Sequence, residues 1–126
     1  MAPKGRPRHD DGMPRPLALN HLNLPAPDPE AQRRWYVEKL GFVARGRFLW
    51  SAGTLLVFVD GEAIASDDSH VGFRVDSLSE LSAWVETLAG RGVDTGPIEG
   101  DETYSRVLFR DPVGYQIELF YEPLPA

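Results

Sequence analysis

The turn and strand around which this chain is organised are Asp111-Pro112-Val113-Gly114-Tyr115-Gln116-Ile117-Glu118-Leu119-Phe120. Asp-Pro-x-Gly predicts a tight turn, because proline presets φ and glycine tolerates the backbone angles that turns need. The following residues, up to Tyr121, are rich in β-branched and aromatic side chains and predict a strand. Ile117, Leu119 and Tyr121 share one face of that strand, and Glu118 lies on the other. A carboxylate in the last core strand of a small domain is either solvated or functional.

Two earlier predicted strands carry a histidine on the face opposite their apolar residues. The first strand spans residues 17–26, where His21 alternates with Leu22 and Leu24. Another spans residues 69–75, where His70 alternates with apolar residues in the same way. Because successive side chains in a strand point to opposite faces, both histidines are expected on the polar face of a sheet.

Each of these strands leads into a predicted helix. Residues 28–30 supply an aspartate N-cap, a proline in the first turn and a glutamate at the positive end of the helix dipole. That helix is expected to end at Gly41, a usual C-cap residue. A capping box at Ser77 and Glu80 opens a second helix, which is expected to end at residue 90 or 92.

The chain contains an internal repeat. Fourteen positions separate His21 from Trp35 and also His70 from Trp84. Each half reads as a strand, a helix and about three further strands, including 42–50, broken near 46, and 54–60 in the first half. The predicted fold is therefore α+β, with two βαβββ modules, about 17–62 and 68–123, forming an eight-stranded curled mixed sheet with helices on its outer face. His21, His70 and Glu118 are expected to point into the resulting cup.

Composition limits the classes of protein to which the chain can belong. Its 126 residues suit one domain behind a flexible N-terminal tail, residues 1–16. The net charge of −6 argues against a nucleic-acid partner, and no apolar run is long enough to span a membrane. The absence of cysteine excludes disulfides and thiolate ligands, and together with the absence of a signal region it favours a cytoplasmic protein.

Four motifs carry a resemblance to a known family. The chain resembles the vicinal oxygen chelate superfamily, which includes glyoxalase I, extradiol dioxygenases, fosfomycin-resistance transferases and bleomycin-resistance proteins. The resemblance covers about residues 17–122. Its motifs are Asn20-His21-Leu22-Asn23-Leu24, Trp35-Tyr36-x-x-x-Leu40-Gly41-Phe42, Ser69-His70-Val71-Gly72-Phe73 and Asp111-Pro112-x-Gly114-x-x-x-Glu118.

The resemblance implies one divalent metal ion held by His21, His70 and Glu118. Two imidazoles and a carboxylate leave coordination positions open for substrate, and Mn²⁺, Fe²⁺, Ni²⁺ and Zn²⁺ all suit this set. Val57 departs from the pattern, because the repeat places it opposite Glu118, where glyoxalase I and related isomerases carry a fourth ligand. The resemblance therefore favours a three-ligand enzyme: a dioxygenase, a lyase or a thiol transferase acting on a small oxygenated or electrophilic substrate.

The signatures of the three-ligand subfamilies are incomplete in this chain. The tyrosine expected three residues before the Asp-Pro of extradiol dioxygenases is Leu108, and the anion clamp of the fosfomycin transferases is missing. Tyr104 and Arg106 stand on the same strand face as Leu108, and we predict catalytic roles for them. Arg106 is expected either to bind a substrate carboxylate or phosphate, or to form a salt bridge with Glu102 or a neighbour of Glu118. A homodimer is expected, and the alternative function is metal-free binding of a small molecule, as in the bleomycin-resistance proteins.

Overall fold

The computed structural model describes residue 12 and residues 14–123. Most of the predicted flexible tail, residues 1–16, lies outside the described residues. The elements follow the predicted order, and their bounds are β1 His21–Ala26, α1 Pro29–Leu40, β2 Val43–Arg45, β3 Phe48–Ser51, β4 Thr54–Asp60, β5 His70–Arg74, α2 Leu78–Gly90, β6 Glu99–Gly100, β7 Ser105–Arg110 and β8 Gln116–Tyr121. Among the described residues, no helix has the length and apolar character needed to cross a membrane.

The caps of the two helices form as predicted. The Asp28 carboxylate accepts a hydrogen bond from the Ala31 N–H at 3.1 Å, and the helix ends at Gly41 in the left-handed region with φ 76°. Ser77 Oγ accepts from the Glu80 N–H at 3.1 Å. The Glu80 carboxylate reaches the N–H of Asp76, one residue before the N-cap. Local sequence therefore determines where both helices begin.

The strands form two mixed four-stranded sheets, which confirms the α+β class and the strand count. The N-terminal sheet has the order β1-β4-β3-β2, and the C-terminal sheet has the order β5-β8-β7-β6. The outer strands of each ladder are thus β1 and β2 in one sheet and β5 and β6 in the other. The backbone hydrogen bonds keep the two ladders separate, whereas the sequence predicted one eight-stranded sheet.

Strand register confirms the internal repeat residue by residue. In the N-terminal sheet, His21 pairs with Leu55 and Asn23 pairs with Val57 across the parallel β1–β4 ladder. In the C-terminal sheet, His70 pairs with Gln116 and Gly72 pairs with Glu118 across β5–β8. The two histidines are therefore structural equivalents, and Val57 is the equivalent of Glu118.

One apolar core joins the two modules. Helix α1 packs on the N-terminal sheet, and helix α2 packs on β7 and β8. Between the modules, the ring centroids of Trp35 and Phe109 are 6.5 Å apart, and those of Phe42 and Phe73 are 5.7 Å apart. These contacts fix each module against the other through aromatic packing.

A buried carboxylate adds a polar link between the modules. Asp111, in the Asp-Pro-x-Gly turn, is only 5% exposed. Its Oδ2 accepts hydrogen bonds from Gln32 Nε2 at 3.0 Å and from the Tyr36 hydroxyl at 2.7 Å, both on α1. Its Oδ1 accepts the backbone N–H groups of Val113 and Tyr115. The turn is thus closed by its own aspartate and attached to the helix of the other module.

Candidate metal-binding and substrate site

Glu118 is the buried acidic residue at the centre of the candidate site. Its position on β8 is only 5% exposed, although the side chain lies on the polar face that the sequence predicted. The Tyr104 hydroxyl donates to Oε2 at 2.8 Å, and Arg106 Nη1 lies 3.3 Å from the same oxygen. His70 Nε2 lies 3.8 Å from the other oxygen, Oε1. The carboxylate therefore has one oxygen held by the protein and the other turned towards a histidine.

The β7–β8 hairpin and the turn before it position these groups. Leu108 lies directly opposite Glu118, and Arg106 lies opposite Phe120, so Arg106 is a diagonal neighbour of the carboxylate. Tyr104 precedes β7 in a turn closed by Asp101, whose Oδ1 accepts the Thr103 and Tyr104 N–H groups. The Tyr104 ring stacks on that of Phe120 at 5.9 Å.

The electrostatics of the site reflect this arrangement. Partial burial, followed by the hydrogen bond to Glu118, raises the pKa of Tyr104. The hydrogen bond to Glu118 raises the pKa of Arg106 as well. Arg106 also lies 3.8 Å from Glu99, so it forms salt bridges, but with Glu99 and Glu118 and not with the predicted Glu102. Tyr104 consequently remains a neutral hydrogen-bond donor at physiological pH.

The spacing of His70 and Glu118 is close to what a shared metal ion requires. Two ligands on adjacent positions of one ion lie about 3 to 3.5 Å apart when each bond is about 2.1 Å. The observed separation of 3.8 Å between Nε2 and Oε1 exceeds this by a few tenths of an ångström. Gly72 lies beside them, and a Cβ there would sit 3.4 Å from Glu118 Oε1. A larger side chain at that position would fill the space in front of the carboxylate, so Gly72 keeps the space beside the two donors open.

His21 lies on a different sheet from His70 and Glu118. Its Nδ1 is 3.2 Å from the side-chain oxygen of Asn20, and its partner across the ladder is Leu55. Within the described part of the chain, no group of three histidine, aspartate or glutamate side chains is arranged to hold a metal ion. One chain thus brings two of the three predicted ligands together.

The N-terminal sheet presents a largely apolar counterpart to this charged face. Val57, the structural equivalent of Glu118, is buried at 7% exposure and offers no ligand atom. Beside it, Phe48 is 50% exposed and lines a pocket that His21 also lines. Phe48 therefore presents an aromatic ring to this pocket. The hydrogen bond from Gln32 to Asp111 could not be predicted from the sequence, because an isolated glutamine on a helix is usually solvated.

Comparisons with known proteins agree with the fold. The profile of the Glyoxalase/Bleomycin resistance protein/Dioxygenase superfamily matches residues 18–119. None of the curated proteins matches the chain. Similar solved structures include a genomically encoded fosfomycin resistance protein, FosX, from Listeria monocytogenes, with a TM-score of 0.74 and 18% identity over 87% of this chain and 97% of that one.

Two further structures have different functions in their names. A lactoylglutathione lyase from Agrobacterium tumefaciens has a TM-score of 0.68 and 19% identity over 84% of this chain and 94% of its own. TnmS3, an antibiotic binding protein from Streptomyces sp. CB03234, has a TM-score of 0.64 and 22% identity over 85% of this chain and 97% of its own. At these identities the likeness concerns the fold. The profile match, the repeat and the paired βαβββ modules together show that this chain belongs to the Glyoxalase/Bleomycin resistance protein/Dioxygenase superfamily.

Proposed function

We propose that the protein is a divalent-metal-dependent enzyme that acts on a small oxygenated or electrophilic substrate at a site formed by His21, His70 and Glu118. The reaction class is that of a three-ligand dioxygenase, lyase or thiol transferase. The ion would be Mn²⁺, Fe²⁺, Ni²⁺ or Zn²⁺, since imidazole and carboxylate donors suit all four.

The observation that carries this proposal is that Glu118 is buried and that its two carboxylate oxygens have different surroundings. A carboxylate that is 5% exposed is costly unless its charge is compensated. Tyr104 and Arg106 both contact Oε2, whereas Oε1 faces His70 across a gap of 3.8 Å. An ion bound between Oε1 and His70 Nε2 would give this second carboxylate oxygen a partner of its own and use the space that Gly72 leaves.

The roles of the chain's own residues follow from their contacts. A bound ion would supply Lewis-acid activation of a substrate oxygen. His21 and His70 must be neutral to act as ligands, so ion binding should weaken as the solution is acidified. Tyr104 and Arg106 would orient Glu118. Arg106 would also donate a hydrogen bond to a substrate oxygen, because it is only partly buried and its guanidinium has further N–H groups. Tyr104 has a single hydroxyl proton, which Glu118 accepts, so its oxygen would accept a hydrogen bond from the substrate.

We further propose that the protein is a homodimer and that the His21 of a second copy completes the site. The third ligand is missing from the His70–Glu118 pair within one chain, and β1 and β5 are both edge strands whose outer side is unpaired within its ladder. Leu19, just before β1, is 85% exposed. An unpaired sheet edge is a template for pairing with another chain, and Leu17 and Leu19 together give this edge an apolar surface.

Calorimetric titration of metal-stripped protein tests the ligand set. His21→Ala, His70→Ala and Glu118→Gln should each lower the affinity for the divalent ion steeply, because two ligands remain, while thermal unfolding changes little. His9→Ala and Glu122→Gln are matched controls and should bind like the wild type. The ligand assignment fails if the stripped wild type binds no divalent ion more tightly than the three variants.

A mixing experiment tests whether the site is shared between copies. If two chains build each site, dimers of His21→Ala with His70→Ala contain one site with both substitutions and one intact site. Mixed dimers should then bind one ion per dimer, although neither variant binds alone. An absence of recovery, or a monomer in sedimentation at micromolar concentration, would contradict the shared site.

A second function has an observation in its favour. Arg106 already gives Glu118 a cationic partner at 3.3 Å, which is the arrangement expected if the carboxylate never meets a metal ion. The protein would then be a metal-free small-molecule binding protein of the bleomycin-resistance type. The same titration separates the two functions, because that protein would show no ion affinity attributable to the three ligands.

A further inference from the structure

The N-terminal sheet carries a pocket of which the proposed metal chemistry uses only His21. Its volume is about 380 Å³, and its lining includes Phe48, Leu55, Val57, Val59, Arg47 and His21. Phe48 lies directly opposite Val57 across β3–β4, and His21 lies opposite Leu55 across β1–β4. These side chains therefore belong to one continuous patch on one face of the sheet.

The internal repeat relates this patch to the charged face of the C-terminal sheet. Leu55 and Val57 are the structural equivalents of Gln116 and Glu118 in the C-terminal sheet. The same architectural position is thus apolar in one module and polar in the other. A ligand that meets both faces needs an apolar body for the first and a polar, oxygen-bearing end for the second.

Two residues at the pocket indicate the ligand's chemistry more closely. Phe48 leaves half of its surface in water, and an aromatic ring in that position offers a face on which another ring can stack. Arg47 lies in the hairpin turn before β3, where it lines the same pocket. Among residues 14–123, no carboxylate forms an ion pair with Arg47, unlike Arg106 and Arg110. A cation beside an apolar pocket complements a ring compound that carries an anionic group.

We infer that this pocket is a binding subsite for the ring portion of an aromatic carboxylate or a similar anionic ring compound. Phe48 and Val57 contact the ring, and Arg47 pairs with the anionic group. The inference rests on the proposed function in one respect, because His21 lines the pocket and connects the subsite to the metal site. It names the substrate class for that site: a small aromatic molecule with an anionic group and further oxygen atoms for the metal ion.

Titration of metal-free protein with 2-naphthoate tests the subsite separately from the metal. Phe48→Ala should weaken binding about three- to tenfold, because a stacked ring is lost. Arg47→Gln should weaken it about tenfold but leave the neutral analogue 2-naphthalenemethanol unaffected, because the variant removes a charge-assisted contact. Acetate, which lacks the ring, should not compete.

Leu78→Ala and Arg34→Gln are matched controls, since they remove an exposed leucine and an exposed arginine elsewhere on the surface. Both should bind 2-naphthoate like the wild type. Equal affinity of Phe48→Ala and wild type overturns the subsite, and equal affinity for the acid and the alcohol overturns its anionic preference. Ion titration of Phe48→Ala should match the wild type. If the wild type binds 2-naphthoate but no divalent ion, the proposed function fails and the subsite stands.

Discussion

Replacing Asp111 with alanine should severely destabilise the protein. The carboxylate accepts four hydrogen bonds: two from the backbone of its own turn and two from α1. Its two side-chain partners, Gln32 and Tyr36, are 1% and 2% exposed, so water cannot replace the lost acceptor. The substitution leaves buried donors without partners and frees the turn that precedes β8.

The magnitude follows from the number of buried donors. Each donor left unsatisfied costs about 1–3 kcal/mol. With Gln32 and Tyr36 both affected, Asp111→Ala should lower the free energy of unfolding by about 3–5 kcal/mol. A small domain has about 5–15 kcal/mol in total, so the variant should be marginal. Asp111→Asn keeps an acceptor for the turn, and the Tyr36 hydroxyl can rotate, so its loss should be about 1–2 kcal/mol.

Urea unfolding at constant pH, followed by tryptophan fluorescence, measures these differences. Asp101→Ala is the matched control, because Asp101 also accepts hydrogen bonds from its own turn but is exposed. Its loss should be much smaller than that of Asp111→Ala. Equal shifts of the urea midpoint in Asp111→Ala and Asp101→Ala would contradict this reasoning. Burial would then not determine how much these hydrogen bonds stabilise the protein, and the contacts of Asp111 with α1 would add nothing to its stability.

Three further outcomes are expected. Burial, followed by the charge of Asp111, raises the pKa of Tyr36, so the folded state keeps this proton to a higher pH than the unfolded state does. The free energy of unfolding of the wild type should therefore fall as the pH rises above about 10. Urea unfolding of Tyr36→Phe should show a shallower decline over the same range. Val57→Glu should bind divalent ions more tightly than the wild type in calorimetry and be less stable by about 2 kcal/mol or more without them, since it buries a carboxylate at the equivalent of Glu118. The wild type should turn over the methylglyoxal–glutathione adduct far more slowly than the ~10 s⁻¹ median of enzymes, and a rate at that median would contradict the role assigned to Val57.

Much of the fold could be predicted because its signals are local. The N-caps Asp28 and Ser77 and the C-cap Gly41 placed the helix ends within a residue or two of those observed. The first strand was predicted too long, from residue 17, although β1 begins at His21. Leu17 and Leu19 alternate like strand residues, but among residues 14–123 they join no ladder and no core, and they remain exposed. Alternating apolar residues indicate that a segment can form a strand, but it does so only where a neighbouring strand is available to pair with it.

The polar contacts between residues far apart in the sequence could be found only in the folded structure. Spacing along the sequence was enough to recognise the repeat, to pair His21 with His70 and to place Glu118 on the polar face of the last strand, because strand parity and repeat position are properties of neighbouring residues. Spacing contained no information on distances between modules. Tertiary packing brought Gln32 and Tyr36 to Asp111, set Tyr104 and Arg106 against one oxygen of Glu118, and left His21 on another sheet from His70. Contacts between residues far apart in the chain depend on how whole modules pack, and that packing is set by the sum of many apolar contacts rather than by any one motif.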